Sequence, residues 1–275
     1  MVMKLIEYTE FGYNGAARIA QTAAEKHKHI VNYYDGILNK PFNKEQFRYV
    51  GQCRVVCNVF NDLQYNVFTG IRCLDMPIKM AGSMEYRLPA ELKQFSGVLS
   101  AMIGHEHTHN KLVKDFYAYL TVDQTVKDPG KTYHREGGLH VDGFQGARVN
   151  PKVMCDRSYI VVDCDPPYVY LQPFPQVVAM DDSKENIFHA FDKYRLLSNA
   201  LRIGPKFIYF MDCYCVHSAG VALSQQRTFV RLSYSVRQYD RLGNSHNHLF
   251  DYNWPMFTRD IASVLEPADK IINEP

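Results

Sequence analysis

From Lys131 onward the chain breaks into short runs rich in β-branched and aromatic residues, and this pattern narrows the possible folds more than any other feature. The runs are Ser158–Asp163 (SYIVVD), Tyr168–Leu171, Lys206–Met211 (KFIYFM) and Thr228–Val236 (TFVRLSYSV). Short strands parted by turn formers at this spacing point to an antiparallel sandwich or barrel. Earlier in the chain the period changes. Ala17, Ile19, Ala20, Ala23 and Ala24 recur at helical intervals after a turn-like Asn-Gly, so a helix is predicted from about Asn14 to Tyr34. Pro89 to Met102 reads as a second helix with its proline in the first turn. Gln52 to Val67 reads as one or two strands, and Ser183 to Leu201 as a helix lying between the later strands. No repeat, low-complexity tract or linker divides the 275 residues. The expectation is one mainly β (α+β) domain, 1–275: residues 1–130 as a helix-and-strand support, 131–240 as the β core and 241–275 as a tail.

Composition removes some functions. With 31 basic and 29 acidic residues and no dense basic run, the electrostatic footprint of a nucleic-acid binder is missing. The first residues lack the apolar core of a signal peptide, and no stretch is apolar for long enough to span a membrane. Seven cysteines, an odd number, suggest free thiols in a reducing cytoplasm, with no disulfide framework and no membrane.

The chemistry is carried by GGLHVDGFQG. On a strand, His140 and Asp142 face the same side, so an imidazole and a carboxylate can enter one cavity. Further on, the apolar run KFIYFMDCYCV ends at His217, which a turn would return to the same cavity. Beyond it, Arg227, Phe229, Arg231 and Ser233 share one strand face, with Thr228, Val230, Leu232 and Tyr234 on the other. Arginines aimed into a sheet interior are costly to bury unless an anion meets them. Two histidines and a carboxylate on one side of a metal form the facial triad of non-haem iron(II) sites.

The order His140-x-Asp142, His217, then RTFVRLS resembles the 2-oxoglutarate/iron(II) dioxygenase superfamily over roughly Tyr133 to Val236. The resemblance implies a double-stranded β-helix (jelly roll, cupin-like), with iron(II) on His140, Asp142 and His217. It also implies 2-oxoglutarate and dioxygen as co-substrates, with succinate and carbon dioxide released as a small organic substrate is oxidised, by default hydroxylated. Arg231, which forms Arg-x-Ser with Ser233, or Arg227 would grip the 5-carboxylate of 2-oxoglutarate, and Tyr159 would hydrogen-bond the co-substrate.

Other patterns compete. His105-Glu106-His107-Thr108-His109 matches the H-E-x-x-H zinc-protease signature, with Glu136 as a downstream third ligand. Against it, the preceding helix is expected to end near Gly104. Cys213, Cys215 and His217 alternate and imitate a thiolate site, but no second cysteine pair completes it, so the cysteines read as small core residues. His246 and His248 lie in a polar loop, and the aromatic segment around Trp254 packs on the core or covers the barrel mouth. The alternatives are therefore a zinc hydrolase and a cupin-like binding protein without turnover.

Overall fold

A computed structural model describes residues 23–59, 64–131, 138–142, 154–181, 185–223 and 226–258. Three α-helices occur among them: α1 (Ala23–Tyr33), α2 (Ser96–His109) and α3 (Ile187–Tyr194). The strands are β1 (Cys53–Asn58), β2 (Arg72–Lys79), β3 (Tyr117–Val126), β4 (Arg157–Val162), β5 (Tyr168–Tyr170), β6 (Ala200–Arg202), β7 (Phe207–Asp212), β8 (His217–Ser218) and β9 (Gln226–Ser235). A six-stranded sheet runs β1-β7-β4-β9-β3-β2, and a three-stranded sheet runs β6-β5-β8. All named strand pairs are antiparallel. His140 adds an isolated bridge to His217 at the free edge of β8.

Alternation along β9 decides where the layers go. Val230, Leu232 and Tyr234 enter the main apolar cluster, together with Val98, Leu99 and Met102 of α2, Tyr159 and Val161 of β4, and Phe210 of β7. The opposite face looks toward the smaller sheet. There Phe229, Ile160, Tyr209 and Met211 meet Val169, Ile203 and Cys215. The large sheet is thus covered by helix on one face and by sheet on the other, so both faces of its central strands are buried.

Three expectations need correction. Half of the large sheet, β1, β2 and β3, comes from the first 130 residues, which therefore build the sheet as well as support it. β3, YAYLTVDQTV, is ten residues long and pairs in unbroken register with β9, yet it was not picked out as a strand. In the described part of the 183–201 segment the α-helix is the eight-residue α3, followed by a short 3-10 turn at Leu197–Asn199, and β6 takes the last residues into the small sheet. The part of the first predicted helix before Ala23 lies outside the described residues. No helix among the described residues is long and apolar enough to cross a membrane. In the described part of the tail, Trp254 stands edge-on to Tyr117 of β3, at 5.8 Å between ring centres.

The second helix also runs further than expected, through His109. The cause is visible at Glu106, which is fully buried. Its carboxylate accepts from Arg157 Nε at 2.7 Å, Tyr159 OH at 2.8 Å, Asn110 Nδ2 at 2.7 Å and Tyr34 OH at 3.2 Å. Arg157 lies against the Phe116 ring, 4.0 Å from its centre. Burying both ions carries a desolvation cost that this many charge-assisted bonds can offset. Losing one partner strands the other. Arg157→Ala is expected to lower the unfolding free energy by about 3–5 kcal/mol in urea denaturation, and a loss under about 1 kcal/mol would show that the pair contributes no more than a surface bridge.

Candidate metal centre

The site is built on a two-way backbone bridge. His140 N donates to His217 O and His217 N donates to His140 O, both at 2.9 Å. This brings the two imidazoles side by side, 4.3 Å between ring centres. Strand alternation then returns Asp142 to the side of His140. The ligand atoms of His140, Asp142 and His217 lie within 4.8 Å of one another, and no other such group of three occurs among the described residues. His217 Nε2 stands 3.9 Å from Asp142 Oδ2.

Neighbouring groups fix these donors. His217 Nδ1 donates to the carbonyl of Cys215 at 2.9 Å, so the Nε2 lone pair is left to face the site. Asp142 Oδ1 accepts from Arg231 at 2.8 Å, while Oδ2 accepts from Ser158 Oγ at 3.3 Å and looks toward His217. Burial alone would raise the Asp142 carboxyl, but Arg231, with His217 and His140, outweighs it and holds the group well below the usual carboxylate range. The carboxylate is therefore ionised at any working pH.

Arg231 has a second partner that the sequence did not suggest. Its other terminal nitrogen donates to Asp75 Oδ1 at 2.9 Å. Burial would lower the Arg231 pKa, yet Asp142 and Asp75 together raise it, so the guanidinium stays charged. Asp75 sits where the β2–β3 register slips between Cys73 and Met76, with φ of 45°. A bulge of this kind re-aims one side chain, and bulges leave no periodic signal in a sequence.

Of the remaining expected residues, Arg227 and Ser233 share the β9 face of Arg231 and Tyr159 lies on the other side of the sheet. Arg227 is buried on the same β9 face, its guanidinium 5.2 Å from the centre of the Phe229 ring. Ser233 is buried opposite Ser158. Tyr159 does not reach the site. It pairs with Leu232, on the helix-covered face, and its hydroxyl is bonded to Glu106. The β4 residue that reaches the triad is Ser158, one position earlier.

The H-E-x-x-H segment does form a helix, contrary to the expected stop at Gly104, but among the described residues it gathers no group of three metal ligands. Glu106 is consumed by the buried cluster. His105 Nδ1 lies 2.9 Å from Tyr159 OH, and His109 Nδ1 donates to the His105 carbonyl at 2.8 Å. Burial, with His109 and Arg54 nearby, holds His105 well below the usual imidazole range, so it stays neutral. Glu136 lies outside the described residues. Cys213 and Cys215 enter different apolar clusters. Burial raises the Cys213 thiol, and the adjacent Cys53 thiol together with burial raises that of Cys215, so neither is poised as a thiolate. His246 is exposed and stacks on Tyr252, and His248 is exposed.

No family model and no curated protein matches the chain. Solved structures do. EvdO2 from Micromonospora carbonacea var. aurantiaca has 13% identity and a TM-score of 0.42, over 70% of this chain and 89% of that one. The non-heme alpha ketoglutarate dependent epimerase SnoN from nogalamycin biosynthesis has 10% identity and a TM-score of 0.41, over 77% and 84%. An oxidoreductase of the 2OG-Fe(II) oxygenase family from Burkholderia pseudomallei has 13% identity and a TM-score of 0.31, over 58% and 65%. Of the three, one bears the name of the 2OG-Fe(II) oxygenase family. The likeness is distant and assigns no residue of this chain.

The two histidine clusters make opposite demands on mutants. Cobalt(II) titration of metal-free protein should give one tight site, abolished in His140→Ala and kept in His105→Ala. The reverse pattern would move the metal to α2.

Proposed function

We propose that this protein is a non-haem iron(II) oxygenase that uses 2-oxoglutarate and dioxygen to oxidise, most simply to hydroxylate, a small organic substrate. The observation that carries the reading is the donor set itself. Two imidazoles and one ionised carboxylate converge from one side, which suits iron(II) and leaves coordination positions for a co-substrate. Strand order supports a jelly roll as the scaffold. From β3 the chain alternates between the sheets: β3 in the large one, His140 in the small, β4 large, β5 and β6 small, β7 large, β8 small, β9 large. We read the whole as one domain, with no nucleic-acid partner.

His140, Asp142 and His217 would hold the iron. Bound iron(II), with 2-oxoglutarate and dioxygen, would supply the oxidising chemistry, releasing succinate and carbon dioxide. The protein's own contribution is positional. The Cys215 carbonyl keeps His217 in the tautomer that can ligate. Arg231 keeps Asp142 ionised and takes one of its oxygens. Phe229, Ile160, Tyr209 and Met211 line the apolar side between the sheets and exclude water. Because Arg231 already serves two carboxylates, we assign the 5-carboxylate of 2-oxoglutarate to Arg227. It lies four residues away on the same strand face, roughly 13 Å by strand rise. A planar guanidinium gives that carboxylate a bidentate grip.

Anaerobic addition of iron(II) and then 2-oxoglutarate should produce a visible metal-to-ligand charge-transfer band, and admission of oxygen should release succinate. A metal-loaded protein with no band and no succinate would be a binding protein. Arg227→Ala is expected to raise the 2-oxoglutarate requirement about ten- to hundredfold, with iron affinity nearly unchanged. An unchanged requirement would withdraw that residue's role.

A further inference from the structure

We infer that Asp75 is a positioning residue for the metal centre: it draws one arm of the Arg231 guanidinium away from Asp142 and so keeps one Asp142 oxygen open to the metal. The inference rests on reading His140, Asp142 and His217 as a metal site.

A guanidinium facing a lone carboxylate tends to take both oxygens in a fork. Here the fork is split. One terminal nitrogen of Arg231 holds Asp142 Oδ1 at 2.8 Å and the other holds Asp75 Oδ1 at 2.9 Å. The third nitrogen, Nε, is buried with no hydrogen-bond partner among the described residues, so these two carboxylates alone orient the group. Asp142 Oδ2 is left facing His217, carrying only the long 3.3 Å bond from Ser158 Oγ.

Asp75 is itself held firmly. Its carboxylate accepts from Thr121 Oγ1 at 3.0 Å, its backbone N–H donates to the same hydroxyl at 3.0 Å, and its side chain is 6% exposed. The positive φ of 45° is a conformation that aspartate and asparagine tolerate better than most residues but that still carries strain. That strain brings the carboxylate to Arg231. Charge works in the same direction. Asp75, Arg231 and Asp142 together carry one net negative charge, and without Asp75 a divalent cation would meet a neutral pair.

The test is cobalt(II) titration of metal-free protein, followed by visible absorption, on folded variants checked by circular dichroism. Asp75→Asn keeps the shape and the backbone conformation but frees Arg231 to fork onto Asp142. It is expected to weaken cobalt binding about ten- to hundredfold. Removing the competitor as well, in Asp75→Asn with Arg231→Met, should recover most of that loss, which a merely structural role for Asp75 would not produce. If Asp75→Asn does not fold, Thr121→Ala loosens the same carboxylate and should weaken binding about two- to tenfold. Affinity within about twofold of the unmodified protein in the variant that folds, or a double variant no better than Asp75→Asn, overturns the role of Asp75. Failure of the unmodified protein to bind cobalt overturns the metal site itself.

Discussion

Arg231 reaches from the inner face of β9 to Asp142 on one side and to Asp75 on the other, and three separate stretches of chain meet at its guanidinium. Each must arrive in register. A one-residue slip of β9 would turn Arg231 onto the helix-covered face and put Leu232 in its place. The unbroken ten-residue pairing of β9 with β3 guards against that slip, while the bulge in β2 sets Asp75 at the right height. A partly buried cation held between one buried and one partly buried carboxylate is tolerable only as a set, so Asp142, its counter-ion and the strand register are fixed together.

The same strands carry a second buried charge system on their other face. Arg157 and Tyr159 of β4 point toward α2 and Glu106, whereas Ser158 and Ile160 point toward the smaller sheet. The two systems have different characters. Around Glu106 four donors from three parts of the chain saturate one carboxylate, which makes a rigid joint between helix and sheet. At Asp142 the oxygen that turns toward the imidazoles takes only a long 3.3 Å bond from Ser158, which leaves it a lone pair for a metal ion. The contrast separates a structural cluster from a chemical one even though both contain histidines.

Much of this was legible in the residues. The alternation in TFVRLSYSV predicted which β9 side chains share a face, and the order of His140, Asp142 and His217 named the residues that the fold brings together. Tyr159 was misread because an aromatic at the start of a strand does not say which face it takes, and one position separates it from Ser158. The burial of Glu106 was not legible because H-E-x-x-H describes spacing on a helix and nothing about what packs against it; Arg157, far along the chain, decides that. Asp75 carried no signal at all. Its function depends on a bulge and on a partner in β9, and neither leaves a pattern in neighbouring residues.

The proposed metal ion would sit between the sheets on His140, Asp142 and His217, bound through a single oxygen of Asp142. Anomalous diffraction at the iron edge, from crystals loaded anaerobically with iron(II), tests that placement most directly. One peak is expected within bonding distance of both imidazoles and of Asp142 Oδ2, with Arg231 still on Oδ1. A peak beside His105 and His109, or iron chelated by both oxygens of Asp142 with Arg231 displaced, would contradict it.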